Sequence, residues 1–119
     1  MGGTLSATGD AAAVKTRLAE LTRKFVARTG DDVAQMREAL ARLDAGQGGD
    51  NGGALAQIHQ LAHRACGTGG TLGLCAFSDA AADLEHLIEA YPAGASLSVA
   101  DRARMAAVIE AIAAQLALL

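Results

Sequence analysis

His63 stands out by its neighbours. It lies in the stretch Leu61-Ala62-His63-Arg64-Ala65-Cys66-Gly67-Thr68-Gly69-Gly70-Thr71-Leu72-Gly73. Leu55, Ile58, Ala62 and Ala65 recur at helical spacing, with Leu61 at one border. At about 100° per residue these positions form one apolar stripe. His63 falls roughly 140° from the middle of that stripe, so it is expected to face outward. Gly67 and Gly70 follow four and seven residues later, on the same face. Each glycine inside a helix costs about 1 kcal/mol relative to alanine. Two such costs beside one exposed imidazole imply cleared space, into which a partner's surface can move. An unperturbed imidazole, with a pKa of about 6.5, is largely neutral near neutral pH and keeps a nucleophilic lone pair. His59 lies one turn earlier on the same face. Two histidines at that spacing can share a zinc ion, and Cys66 is close by. No fourth ligand is evident nearby and no Glu stands between the histidines, so no metal ligand is assigned.

These residues resemble the histidine-containing phosphotransfer (HPt) domain family. Its pattern is a His, a Lys three residues on, and Gly at four, seven and often ten. His63, Gly67, Gly70 and Gly73 match those spacings, and Ala62 and Leu72 also look like the family. The following segment, 74–85, ends in Asp83-Leu84-Glu85 and is similar to the helix that follows in these domains. The likeness runs from roughly Leu18 to Leu116. It implies that His63 carries a phosphoryl group as a phosphoramidate. It implies response-regulator receiver domains and a hybrid histidine kinase as partners. The receiver's aspartate would exchange the group, and its Mg²⁺ would stabilise the transferring charge. The chain itself then needs no cofactor, has no kinase activity and is a monomer. His59, Arg64, Cys66, Gly67 and Gly70 are the expected docking residues. The family's Lys position holds Cys66, which cannot supply the positive charge. Arg64 is about 100° around the helix and is a poor substitute. Either a partner supplies that charge or transfer is weakened. The competing reading of Cys66 is a small residue at the edge of the core.

Two alternatives belong to other classes. One is a helical regulator that binds receivers without being phosphorylated. The other is a metal-binding helical bundle. Acid-labile phosphate on His63 separates the first from the relay, and metal analysis tests the second.

The chain has 119 residues, enough for one domain with a buried core. Half its residues are apolar and very few are aromatic, which suits close-packed helices better than strands. The formal charge of −3 gives no basic patch, so nucleic acid is not an expected partner. No apolar run is long enough to span a bilayer, and the N-terminus lacks the pattern of a secretory signal. Cys66 and Cys75 are too few for a disulfide framework, so a reduced, cytoplasmic protein is expected. The length and initial Met favour a free-standing protein.

The expected fold is all-α, an antiparallel four-helix bundle with an additional N-terminal helix. Residues 1–9 are expected to be disordered and 10–119 to form the bundle domain. Asp10 is expected to cap a helix over 11–28 with Val14, Leu18, Leu21, Phe25 and Val26 inward. Gly30 is expected to end it. A second helix then starts at Asp31 or Asp32 and buries Val33, Met36, Leu40 and Leu43. Arg37, Glu38 and Arg42 are expected to be solvated. The glycine-rich stretch 46–53 reads as a flexible connector; it has neither the Lys-Ser/Thr ending nor the preceding strand of a phosphate loop. Residues 67–72 likewise miss the dinucleotide-binding pattern, because Leu72 holds the last glycine's position. The third helix covers 54–71. The fourth covers 74–90, with Leu74, Phe77, Ala81, Leu84, Ile88 and Tyr91 inward and His86 solvated. Pro92-Ala93-Gly94 breaks the chain. Ser98, with Asp101, caps a last helix that buries Met105, Val108, Ile109, Ile112, Leu116 and Leu119.

Overall fold

The computed structural model describes the backbone of residues 2–44, 51–91 and 97–119, and the side chains of residues 11–43, 53–91 and 97–119. All regular structure in the described residues is helical: α1 (Gly2–Asp44), α2 (Asn51–Thr71), α3 (Cys75–Glu89) and α4 (Val99–Ala117). Each helix packs on the next in chain order, and α4 returns to α1, closing a four-helix bundle.

The inward faces follow the apolar periodicity. Val33, Met36, Leu40 and Leu43 of α1 are buried, with Ile58, Leu61, Ala62 and Ala65 of α2. Phe77, Ala81, Leu84 and Ile88 of α3 meet Met105, Ile109, Ile112 and Leu116 of α4. Leu55, Leu74, Tyr91 and Val108 are half-buried against this core, whereas Leu119 is exposed. At the start of α4 the Ser98 hydroxyl accepts from the Asp101 amide at 3.1 Å, the expected cap. Asp101 in turn receives the Tyr91 hydroxyl, which with Ser98 holds its carboxyl below the usual carboxylate range.

The separate N-terminal helix is not present. The segments expected over 11–28 and from Asp31 or Asp32 are one continuous helix, α1. Gly30 does not stop it. Among the described residues only Gly73 has a positive φ, so Gly30 keeps the right-handed helical backbone. The cost of a helix-interior glycine is only about 1 kcal/mol, and contacts on both sides of Gly30 outweigh it. Phe25 lies edge-on to Phe77 with centroids 5.0 Å apart. Asp32 is buried and bonded to Arg64, so it is a tertiary contact rather than a helix cap. The helical backbone begins at Gly2, inside the stretch 1–9 read as disordered, and passes through Asp10. Residues 11–21 are exposed throughout, including Val14, Leu18 and Leu21. Leu21 lies level with the end of α2, where it lines a groove with Thr68 and Leu72; among the described residues, Val14 and Leu18 precede the part of α1 that α2 covers.

Two of the three charges expected to be solvated instead tie α1 to its neighbours. Arg37 makes a two-point contact with Glu110 of α4, at 2.8 and 2.6 Å. Arg42 donates to Gln57 of α2 at 2.6 Å. The connector expected over 46–53 lies outside the described residues up to position 50; Asn51–Gly53 open α2. Pro92, Ala93 and Gly94 also lie outside them.

Candidate functional site

The end of α2 and the start of α3 build the site. After Thr71 the chain turns sharply back through three residues. The Gly73 amide donates to Gly70 O at 3.1 Å and the Leu74 amide to Gly69 O at 2.8 Å. This is a Schellman closure, with Gly73 at the left-handed position, φ 76°. Gly73 is therefore a helix stop rather than part of the cleared face. The turn lays α3 antiparallel on α2, and the two helices approach closely at Gly69. A Cβ added there would stand 2.7 Å from Phe77 Cδ1. Gly69 thus makes room inside the molecule. Gly67 does not: nothing lies within 4 Å of its Cβ position, and it is exposed. Gly70 meets only Ser78 Oγ, at 3.6 Å.

His63 stands on the outer face of α2, with 76% of its side chain exposed. Its Nδ1 is 3.0 Å from Glu85 Oε2 on α3. An ionised carboxylate only accepts hydrogen bonds, so Nδ1 carries the proton and donates it. Nε2 is then the nitrogen with the free lone pair. Glu85 is largely buried, 12% exposed, so it is a firm anchor for the ring. One turn earlier, the His59 Nε2–H donates to Glu89 at 2.8 Å. That bond holds the Glu89 carboxyl below the usual carboxylate range. The two imidazoles lie parallel within 5°, centroids 6.5 Å apart. Both glutamates were missed by the sequence reading. Their four-residue spacing on α3 mirrors that of His59 and His63 on α2, and this was the available signal.

The other expected site residues divide between two sides of α2. Cys66 is half-buried toward α3, with Sγ 3.4 Å from Ser78 Oγ. Ser78 Oγ also donates to Cys66 O at 3.0 Å. Arg64 turns the other way, to α1, and donates to Asp32 at 2.6 Å. It also lines a groove of about 220 Å³ between α1 and α2, together with Phe25, Thr68 and Leu72; His63 is not part of that groove. The Arg64–Asp32 pair should matter for folding. Arg64→Ala leaves a carboxylate that is 6% exposed without its partner. The expected loss is about 1–3 kcal/mol of unfolding free energy. Asp32→Asn in the same protein should recover part of it. Urea denaturation of the two variants measures both effects.

The Hpt domain family model matches residues 20–117. The chain belongs to that family. Neither a curated protein nor a solved structure matches it significantly. Hpt domains are helical bundles that act as phosphocarrier modules of phosphorelays rather than as kinases, and they interact with receiver domains and kinases. No helix among the described residues is long and apolar enough to cross a membrane.

Proposed function

We propose that this Hpt domain carries a phosphoryl group on Nε2 of His63, exchanging it with the aspartate of response-regulator receiver domains supplied by a hybrid histidine kinase. The observation that supports this reading most is the single engaged nitrogen. Glu85 holds Nδ1–H, and the ring stands on an exposed face one helical turn before Gly67, where nothing fills the space. In transfer from a receiver, Nε2 attacks phosphorus, the aspartyl P–O bond breaks, and the carboxylate leaves. The ring gains a positive charge as the N–P bond forms, and Glu85 faces the N–H that shares that charge. The glutamate is bound on the Nδ1 side, so it is not placed beside Nε2 to activate water there. The chain supplies position and a tautomer; the receiver's Mg²⁺ supplies the charge on the transferring oxygens. His59, Cys66, Gly67 and Gly70 lie on the docking side, and Arg64 is turned to α1. The protein works as a cytoplasmic monomer.

The test is incubation with a phosphorylated receiver domain and detection of acid-labile, alkali-stable phosphate on the chain. Absence of label under conditions that discharge the receiver to a control Hpt domain overturns the reading. It would favour the regulator that binds receivers without accepting phosphate.

Cys66 offers a graded measurement. A lysine there would lie one turn from His63, at the edge of the α2–α3 contact, with its stem running past Ser78. A charge-assisted hydrogen bond is worth about 1.5–3 kcal/mol when fully expressed, and exposure to water reduces it. Cys66→Lys is therefore expected to shift the phosphoryl equilibrium toward His63 by less than about tenfold. The ratio of phosphorylated chain to phosphorylated receiver reads it. An unchanged ratio and lifetime would mean that the receiver already supplies the charge.

A further inference from the structure

Two histidines of α2 and two glutamates of α3 form a four-residue cluster across the helix pair. The antiparallel packing sets Glu89 opposite His59 and Glu85 opposite His63, in two successive rungs. One ring nitrogen of His59 and one carboxylate oxygen each from Glu85 and Glu89 lie within 4.8 Å of one another. Ligand atoms around a tetrahedral zinc ion lie about 3.4 Å apart, given bonds of about 2.0–2.2 Å. Side-chain rotations that close the gaps by up to about 1.4 Å would bring the three onto one ion.

We propose that His59, Glu85 and Glu89 form a binding site for a divalent transition metal of the zinc class. One imidazole and two carboxylates supply three ligands of types zinc accepts, and three protein ligands with a fourth position open to water is a recurring zinc arrangement. The imidazole argues against Mg²⁺ and Ca²⁺, which prefer all-oxygen shells. Two carboxylates neutralise the ion's charge. His59 gives up its Nε2 proton to Nδ1 and offers the Nε2 lone pair in its place, so the ion takes the position of the proton now shared with Glu89. Glu85 is the buried member and serves two partners: Oε2 accepts from His63 Nδ1–H, which leaves Oε1 for the ion. His63 thereby becomes the outer hydrogen-bond partner that orients a ligand. Cys66 is not a ligand, since its Sγ is directed at Ser78. If the phosphoryl-carrier reading holds, the ion would sit one carboxylate away from the carrier ring.

The test uses the full chain, Zn²⁺ and a competing chromophoric chelator, with no receiver and no phosphoryl donor present. Its outcome is therefore independent of the phosphotransfer reading. One equivalent of zinc per chain, bound at micromolar concentration or tighter, is expected. His59→Ala and Glu89→Gln should each weaken binding by more than the roughly 10–100-fold lost when an outer partner is removed. Cys66→Ser and His86→Gln should bind as the unaltered chain does. Circular dichroism of each variant checks that the helices persist, and X-ray absorption should report one imidazole in an otherwise oxygen shell. Failure to bind one equivalent overturns the site. So does binding that survives His59→Ala and Glu89→Gln together, or that is lost in Cys66→Ser.

Discussion

The His63→Gln protein is expected to fold as the unaltered chain does and to take no label from a phosphorylated receiver. The side chain is exposed and makes one hydrogen bond, to Glu85. A glutamine amide can still donate to that carboxylate, so the change in stability should stay within about 0.5 kcal/mol. Its nitrogen lone pair is delocalised into the carbonyl and is not a nucleophile, so labelling should fall to background. His59→Gln removes the neighbouring ring and its bond to Glu89, yet leaves the His63–Glu85 pair. It should still accept the phosphoryl group. The pair of variants separates carrier from neighbour: full labelling of His63→Gln, or loss of labelling only in His59→Gln, would move the carrier to the other ring. Thermal unfolding of both proteins checks that neither result comes from misfolding.

Leucine placed at Gly67 and at Gly69 should act in opposite ways, although the two glycines are two residues apart in one helix. At Gly67 there is open space, and leucine is the better helix former by up to about 1 kcal/mol. Gly67→Leu should therefore keep or raise stability. Helical Cα–Cβ bonds tilt toward the N-terminus, so the introduced side chain leans back over the turn that carries His63. It should block receiver approach and abolish transfer. At Gly69 the first added carbon meets Phe77 at 2.7 Å. Phe77 is fully buried and held edge-on against Phe25, so it has nowhere to retreat. Gly69→Leu should lose about 1–3 kcal/mol or more to overpacking, net of any gain in helix propensity. Denaturant midpoints and transfer rates for both variants give the comparison. Transfer at the original rate in Gly67→Leu would remove the clearance argument, and an unchanged midpoint in Gly69→Leu would remove the packing argument.

Much of the candidate site was legible in the pattern of single helices. Periodicity placed His63 outward and opposite Ile58, Ala62 and Ala65, because a helix repeats its faces whatever it packs on. It likewise predicted the buried faces of α3 and most of α4, and the Ser98 cap, whose hydrogen bonds are local. Opposition between helices is another matter. Which residues of α3 face His59 and His63 depends on the register set by the Gly73 turn and by the close approach at Gly69. The matching spacing of Glu85 and Glu89 was readable, but their pairing with His63 and His59 was not, and with it the tautomer of His63. The same limit explains Arg64: its angle from His63 was readable, but its partner Asp32, thirty-two residues away, was not. Gly30 is the clearest case of tertiary override. Its local cost of about 1 kcal/mol is real, but a helix break would have separated Phe25 from Phe77 or Asp32 from Arg64. The sequence by itself determined which faces are apolar and that an exposed imidazole ends up beside glycine. Only the tertiary structure decided that α1 is one helix, which glycine faces a neighbour and which faces solvent, and which nitrogen of His63 is free, because each of these depends on atoms contributed by a different helix.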